Sequence, residues 1–198
     1  MNKQTGMRLV LGSGSPRRAQ LLRQLQLEFE QIVSSQEEPA PTGEDPGDQA
    51  IHCAQIKARA VRELLSKADR EQTIVIGADT MVVVDDKILG KPRDAEAAGA
   101  MLRLLSGRSH TVCTGVCLLG PGALEQRESV LTEVWMKSLS TEVIDVYIAS
   151  EEPMDKAGAY GIQGLGARFV ERINGCYYNV VGLPLARLTV MLDEAGFR

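Results

Sequence analysis

Two arginines at the start of a predicted helix are the first sign of a ligand in this sequence. The segment GSGSPRR, residues 12–18, follows the short apolar run Leu9–Leu11 and precedes leucines at helical spacing. Ser15 suits the N-cap and Pro16 the first helical position, so both arginines fall in the first turn. Cations are unfavourable there, because the helix N-terminus already carries partial positive charge.

A bound polyphosphate would remove this conflict. Its oxygens would accept the free backbone N–H groups of the helix end and the guanidinium hydrogen bonds together. The phosphate-binding candidates in this segment are Ser13, Ser15, Arg17 and Arg18. The alternative is an ordinary capped surface helix with solvated arginines.

A carboxylate follows the most apolar strand that the sequence predicts. Thr73–Ala78 is expected to be a buried strand, with Asp79 and Thr80 directly after it. Ligands of open α/β sheets bind at the carboxyl ends of strands, so Asp79 is a candidate to bind Mg²⁺ or to take a proton from water. The alternative is an aspartate that simply ends a strand.

Two further segments carry polar groups beside small or rigid residues. Lys91 lies between glycine and proline, where it could meet a phosphate or remain a solvated loop lysine. Gln163 lies in a glycine-rich stretch, and its amide offers a donor and an acceptor that match the imide edge of uracil or thymine. The alternative is an exposed glutamine in a tight connection. The P-loop and dinucleotide-binding patterns both fail, which disfavours kinase and Rossmann assignments.

Composition narrows the class of protein. The chain has 198 residues, a net charge of −4 and 44% hydrophobic residues, so it can bury a normal core and does not resemble a general nucleic-acid binder. Its four cysteines form no C-x-x-C pair, which favours reduced thiols in a cytoplasmic protein. Cys113 and Cys117 are expected to pack in the core. No secretory signal or membrane-spanning run is predicted, and residues 1–6 are expected to be a disordered leader.

The hydrophobic pattern predicts an α/β fold, in which a mixed, twisted central sheet is flanked by helices and two lobes surround a cleft. Residues 7–198 are expected to form this single domain. The predicted strands are Leu9–Leu11, Phe29–Val33, Thr73–Ala78, Met81–Val84, Lys87–Leu89, His110–Leu119 and Ser129–Lys137. The predicted helices are Arg17–Leu27, Asp48–Lys67, Ala95–Leu105 and Thr141–Ser150, the last capped by Thr141. Ser34–Asp48 is predicted to be a loop.

Taken in order from Leu9 to Leu185, these segments resemble the Maf family of nucleoside triphosphate pyrophosphatases. The motifs that carry the resemblance are SPRR at 15–18, GADT at 77–80, GKP at 90–92, LSG at 105–107, HTV at 110–112, DKAGAY at 155–160, QG at 163–164 and VGLPL at 181–185. The resemblance implies a fold similar to that of inosine triphosphatases. It also implies hydrolysis of dTTP and UTP to the nucleoside monophosphate and pyrophosphate with a divalent cation, Mg²⁺, Mn²⁺ or Co²⁺.

The resemblance also implies roles for individual residues. Asp79 would be the proton acceptor, and Arg17, Thr80 and Gln163 match the positions associated with substrate choice. The positions that line the phosphate and metal region are matched by Arg18, Glu38, Lys57 and Lys91. Glu38 and Asp79 are the candidate metal ligands, although glutamates of an acidic loop and a lysine on a helix are by themselves more typical of a surface.

The resemblance is compatible with a homodimer, and the charge and hydrophobicity of the chain predict no nucleic-acid or membrane partner. The competing function is a nucleotide-binding regulator of cell division and septum formation with little turnover. Asp79 favours the enzyme, because a protein that only binds the nucleotide would gain little from a carboxylate beside the phosphates.

Overall fold

The computed structural model describes residues 6–35 and 45–197, and strands alternate with helices through the first half. The strands are β1 Arg8–Gly12, β2 Glu30–Gln31, β3 Thr73–Val84, β4 Lys87–Leu89, β5 Ser109–Leu119, β6 Glu125–Met136 and β7 Val170–Asn174. The helices are α1 Pro16–Gln24, α2 Pro46–Leu64, α3 Lys67–Arg70, α4 Ala95–Leu105, α5 Thr141–Ala149, α6 Tyr177–Val181 and α7 Leu185–Glu194. Three 3-10 helices cover Glu152–Asp155, Ala157–Ala159 and Gly164–Phe169.

The strands form one mixed sheet of seven strands in the order β2-β1-β3-β5-β6-β7, with β4 paired to β3. Strand β1 runs parallel to β2 and β3, whereas β4 and β7 run antiparallel to β3 and β6. The predicted α/β class with a mixed sheet is therefore confirmed. None of the described helices is long and apolar enough to cross a membrane.

The described residues divide into two compact units. The first unit takes its residues from Met1–Asp79, Thr114–Val130 and Gly182–Arg198, and the second from Thr80–Cys113 and Leu131–Val181. The predicted cleft between two lobes stays a prediction.

In the first unit, helix α2 approaches the sheet closely because the strands beneath it carry glycines. A Cβ built on Gly77 of β3 would lie 2.1 Å from the Ala54 carbonyl oxygen. A Cβ on Gly115 of β5 would lie 2.2 Å from the Ala50 carbonyl carbon. The backbone of α2 therefore lies directly against the strands. The apolar residues buried at this contact include Val10, Ala54, Ala58, Val61, Val75 and Cys117.

The second unit has its own apolar core, in which α4 and α5 pack with strand residues. Its buried members include Val82, Leu102, Leu105, Val134, Ile144, Tyr147 and Phe169.

Cys113 and Cys117 are both fully buried thiols, as the sequence predicts.

The structure corrects several predicted boundaries. Strand β3 continues to Val84, instead of ending at Ala78, and the chain turns into β4 through Asp85 and Asp86, both at positive φ. Helix α2 begins at Pro46, because Asp45 accepts a hydrogen bond from the Gly47 amide at 2.8 Å. Residues 36–44 of the predicted loop lie outside the described residues.

Helix ends and caps also differ from the predictions. Helix α1 ends at Gln24, because Gln26 turns the chain at a φ of 55°. The cap of α5 is Ser140 and not Thr141, since the Ser140 hydroxyl accepts the Val143 amide at 3.4 Å. Strand β6 begins at Glu125, four residues before the predicted start at Ser129.

His110 in β5 is a buried imidazole that couples folding of the second unit to pH. It is 4% exposed, its Nε2 lies 2.7 Å from the Tyr160 hydroxyl, and burial lowers its pKa to about 4. The unfolded chain therefore binds a proton more tightly than the folded chain between about pH 6.5 and pH 4, and stability falls as the pH falls through this window.

We expect protonation of His110 in the unfolded chain to lower the free energy of unfolding by about 2 kcal/mol when the pH falls from 7 to 5. Urea unfolding of the wild type and of the His110→Gln variant at both pH values measures this. The variant should lose markedly less stability on acidification, because glutamine does not titrate. Parallel losses in the two proteins would contradict the prediction.

Candidate active site

The connection between β1 and α1 is held by hydrogen bonds from distant parts of the first unit. The Ser13 hydroxyl accepts from the Ser15 amide at 3.3 Å and from Arg18 Nη1 at 2.9 Å. Arg18 Nε donates to the Gly182 carbonyl at 2.8 Å, and Gln31 Nε2 donates to the Ser13 carbonyl at 2.7 Å. The loop that was predicted to bind phosphate therefore has a fixed backbone.

These contacts refine the predicted roles in this loop. Ser15 occupies the N-cap position before Pro16, as predicted, but its side chain makes no capping hydrogen bond. Arg18 is nearly buried and uses its guanidinium to join Ser13 to Gly182. Arg17 is half-buried in the first turn of α1. Phosphate binding by these residues stays a prediction.

Asp79 lies inside β3, whereas the sequence predicts that it directly follows the end of that strand. The pairing of β1 with β3 runs to Gly12 opposite Gly77, so Asp79 lies two residues beyond the carboxyl end of β1. Side chains alternate along a strand, which places Asp79 on the same face as Gly77 and toward α2. The prediction that Asp79 follows the end of its own strand is therefore wrong, because β3 continues to Val84.

Lys57 of α2 forms an ion pair with Asp79. Its Nζ lies 2.5 Å from Asp79 Oδ1, and the two side chains are 17% and 11% exposed. Lys57 lies between Ala54 and Ala58, whose atoms face Gly77, so the close approach of α2 to β3 brings the ammonium to the carboxylate. The ion pair holds the Asp79 carboxylate in one place, where it is largely shielded from solvent.

Three further predicted site residues lie in the second unit. Thr80 follows Asp79 in β3, so its half-buried side chain points to the opposite face. Lys91 is exposed, and the preceding Gly90 accepts a hydrogen bond from the Gly158 amide at 3.0 Å. Gln163 is half-buried and directly precedes the 3-10 helix Gly164–Phe169.

Among the described residues, Asp79 is the predicted ligand for a divalent cation. No group of three or more histidine, cysteine, aspartate or glutamate side chains within residues 6–35 and 45–197 has metal-binding geometry. Asp79 supplies hard oxygen ligands of the kind Mg²⁺ prefers, and Mg²⁺ is commonly held by one or two carboxylates together with substrate phosphates. Glu38, the second predicted ligand, lies outside the described residues.

Sequence reasoning missed the residues that support the site. Gln31 and Gly182 hold the loop after β1. Glu152 and Tyr147 contact the segment around Gln163. Gly182 belongs to the VGLPL motif at 181–185, but the sequence assigns it no role. Nothing in the local sequence around Gln31, Tyr147 or Glu152 marks them as supporting residues.

Comparison with known proteins identifies the family. The model of the family described as Maf-like protein matches residues 8–195. A dTTP/UTP pyrophosphatase from Bacillus cytotoxicus is 49% identical over 192 residues, which cover 94% of this chain and 95% of that protein. One from Koribacter versatilis is 48% identical over 191 residues, or 96% of each chain.

A solved structure supports the fold. A HAM1 protein from Coxiella burnetii superposes with a TM-score of 0.51 at 16% identity, over 95% of this chain and 99% of that one. Because the identity is low, this likeness bears on the fold alone. The family match over nearly the whole chain, with relatives almost half identical along their full length, shows that this chain belongs to the Maf-like protein family.

Proposed function

We propose that this protein is a nucleoside triphosphate pyrophosphatase that hydrolyses dTTP and UTP to the monophosphate and pyrophosphate. The observation that supports this most is the ion pair of Lys57 and Asp79, two residues beyond the carboxyl end of β1. It places a fixed carboxylate in the same unit as the loop of residues 12–18, in a chain whose relatives bear the name dTTP/UTP pyrophosphatase.

In the proposed reaction, Asp79 orients a water molecule and takes its proton. The water oxygen attacks the α-phosphorus, the bond from that phosphorus to the bridging oxygen breaks, and pyrophosphate leaves. Charge develops on the leaving group, so nearby cations lower the barrier. The residues proposed to neutralise the phosphates are Arg17, Arg18, Lys57 and Lys91, with Ser13 and Ser15 in the loop.

Substrate choice is proposed to depend on the base. The Gln163 amide would pair with the imide edge of thymine or uracil, and Thr80 and Arg17 would contribute to selection. A site built to hydrogen-bond this edge rejects bases with another pattern, because its own polar groups would be left unpaired.

A divalent cation, Mg²⁺, Mn²⁺ or Co²⁺, is proposed to be held by Asp79, Glu38 and the triphosphate. When bound, it neutralises phosphate charge and supports departure of pyrophosphate. We expect EDTA to abolish pyrophosphate release and each of the three cations to restore it. Full activity in excess EDTA would contradict the metal requirement. The homodimer and the cytoplasmic location stay predictions.

The test of the function is pyrophosphate release from a panel of dTTP, UTP, dCTP, dATP and GTP with Mg²⁺ or Mn²⁺. Preferential turnover of dTTP and UTP is the expected result. Binding of dTTP or UTP without turnover would overturn the enzyme and favour the nucleotide-binding regulator. Equal turnover of all five nucleotides would overturn the proposed base selection.

A further inference from the structure

A half-buried carboxylate in the second unit holds the chain directly after Gln163. Glu152 Oε2 accepts a hydrogen bond from the Leu165 amide at 2.8 Å, and Oε1 accepts one from the Gly166 amide at 3.0 Å. Both amides belong to the 3-10 helix Gly164–Phe169, which begins one residue after Gln163. Glu152 therefore fixes the start of that helix.

Tyr147 holds the chain on the other side of Gln163. Its hydroxyl donates to Glu152 Oε1 at 2.9 Å and accepts from the Gly161 amide at 3.3 Å. The side chain is fully buried, and its ring meets that of Phe169 edge-on at 4.8 Å. These two side chains thus contact the backbone both before and after Gln163.

The glycines of this segment fit against the same two side chains. Gly164 has a φ of +71°, and a Cβ there would lie 2.6 Å from Glu152 Oε2. A Cβ on Gly166 would lie 2.6 Å from the Tyr147 hydroxyl oxygen. The segment is therefore folded directly onto the carboxylate and the phenol, and this leaves no space for a side chain between them.

The charge of Glu152 suits this arrangement. Partial burial raises its pKa, but the amides of Leu165 and Gly166 and the Tyr147 hydroxyl outweigh that effect, so the pKa lies below its ordinary value of 4.5. Lys156 also holds the Glu152 backbone in place, since its Nζ donates a hydrogen bond to the Glu152 carbonyl at 2.6 Å. An ionised carboxylate is a stronger acceptor for two backbone N–H groups than a neutral amide would be.

We propose that Glu152 and Tyr147 are positioning residues for base selection, which hold the backbone around Gln163 so that its amide presents one orientation to the pyrimidine. This inference rests on the proposed function and on the role of Gln163 within it. Glu152 and Tyr147 act through Gln163 and do not touch the reacting atoms. Selectivity depends on such preorganisation, because a loosened amide can adapt to more than one base edge.

The test compares Glu152→Gln and Tyr147→Phe with wild-type protein in the presence of Mg²⁺. Steady-state kcat and KM are measured for dTTP, UTP and dCTP. We expect kcat/KM for dTTP and UTP to fall about tenfold, with little change for dCTP, because one or two hydrogen bonds that orient the recognition group are lost. Glu171→Gln is the matched control, since it removes the same charge from an exposed side chain of the same unit.

A double-mutant comparison separates positioning from general stability. In the Gln163→Ala background, Glu152→Gln should cause little further loss of selectivity, because the group that it orients is already absent. Equal losses for all three nucleotides, or additive losses in the double variant, would overturn the inference and leave a structural role. If the wild-type protein turns over neither dTTP nor UTP, the proposed function fails, which is a different result.

Discussion

Replacement of Asp79 by asparagine is expected to lower kcat for dTTP by about 10²- to 10⁴-fold, the usual effect of losing a general base. Asparagine keeps the shape of the side chain but cannot take the proton of the attacking water. The asparagine amide oxygen can still accept a hydrogen bond from the Lys57 ammonium, which lies 2.5 Å from Asp79 Oδ1 in the wild type. The expected effect is therefore on the rate far more than on the fold.

The measurement is single-turnover pyrophosphate release, with thermal unfolding run on the same preparation. Asp86→Asn is the matched control, because Asp86 lies exposed in the β3–β4 hairpin at positive φ, a conformation that asparagine also tolerates. We expect this control to keep wild-type activity. If Asp79→Asn retained more than a tenth of the wild-type rate, Asp79 would not be the base.

Gly77→Ala is expected to lower the free energy of unfolding by about 3 kcal/mol, the upper part of the range for overpacked sites. The added Cβ would lie 2.1 Å from the Ala54 carbonyl oxygen and 2.8 Å from the Ala58 Cβ. Backbone cannot move aside as a flexible side chain can, so α2 must shift away from β3. Lys57 would move with the helix, and activity should fall even under conditions where the variant is folded.

Urea unfolding and pyrophosphate release measure the two effects. Gly99→Ala in α4 is the comparison, because its Cβ would meet the Arg103 guanidinium at 3.3 Å and the Ile148 side chain at 3.4 Å, both of which can adjust. Alanine is favoured over glycine inside a helix, so this control should be neutral or slightly stabilising. Wild-type stability of Gly77→Ala would disprove the close contact between α2 and β3.

Local patterns in the sequence predicted much of the fold. Helix α4 has the predicted bounds Ala95–Leu105, because its periodicity is regular, Asp94 caps it and Gly107 follows it at positive φ. Strand β3 was predicted to break at Asp79 because two polar residues interrupt an apolar run. The continuity of β3 depends on its partners, since it pairs with distant β1 up to Gly77 and with β4 from Val82 onward.

The candidate site, like the fold, was only partly predictable from the sequence. Asp79 and Lys57 could be named from the sequence and the resemblance, but their 2.5 Å contact depends on Gly77 admitting α2. The contact of Arg18 with Gly182 joins residues 164 positions apart, which periodicity and capping rules do not address. Glu152 resembles any other surface glutamate until the segment around Gln163 folds back onto it.

The bond between Arg18 and the Gly182 carbonyl has a consequence for the order of biosynthesis. The carbonyl that anchors the Arg18 guanidinium is translated 164 residues after the arginine itself. The nascent chain therefore cannot complete the contacts of this loop until Gly182 has been translated. A loop ordered to bind an anion would form only after that point.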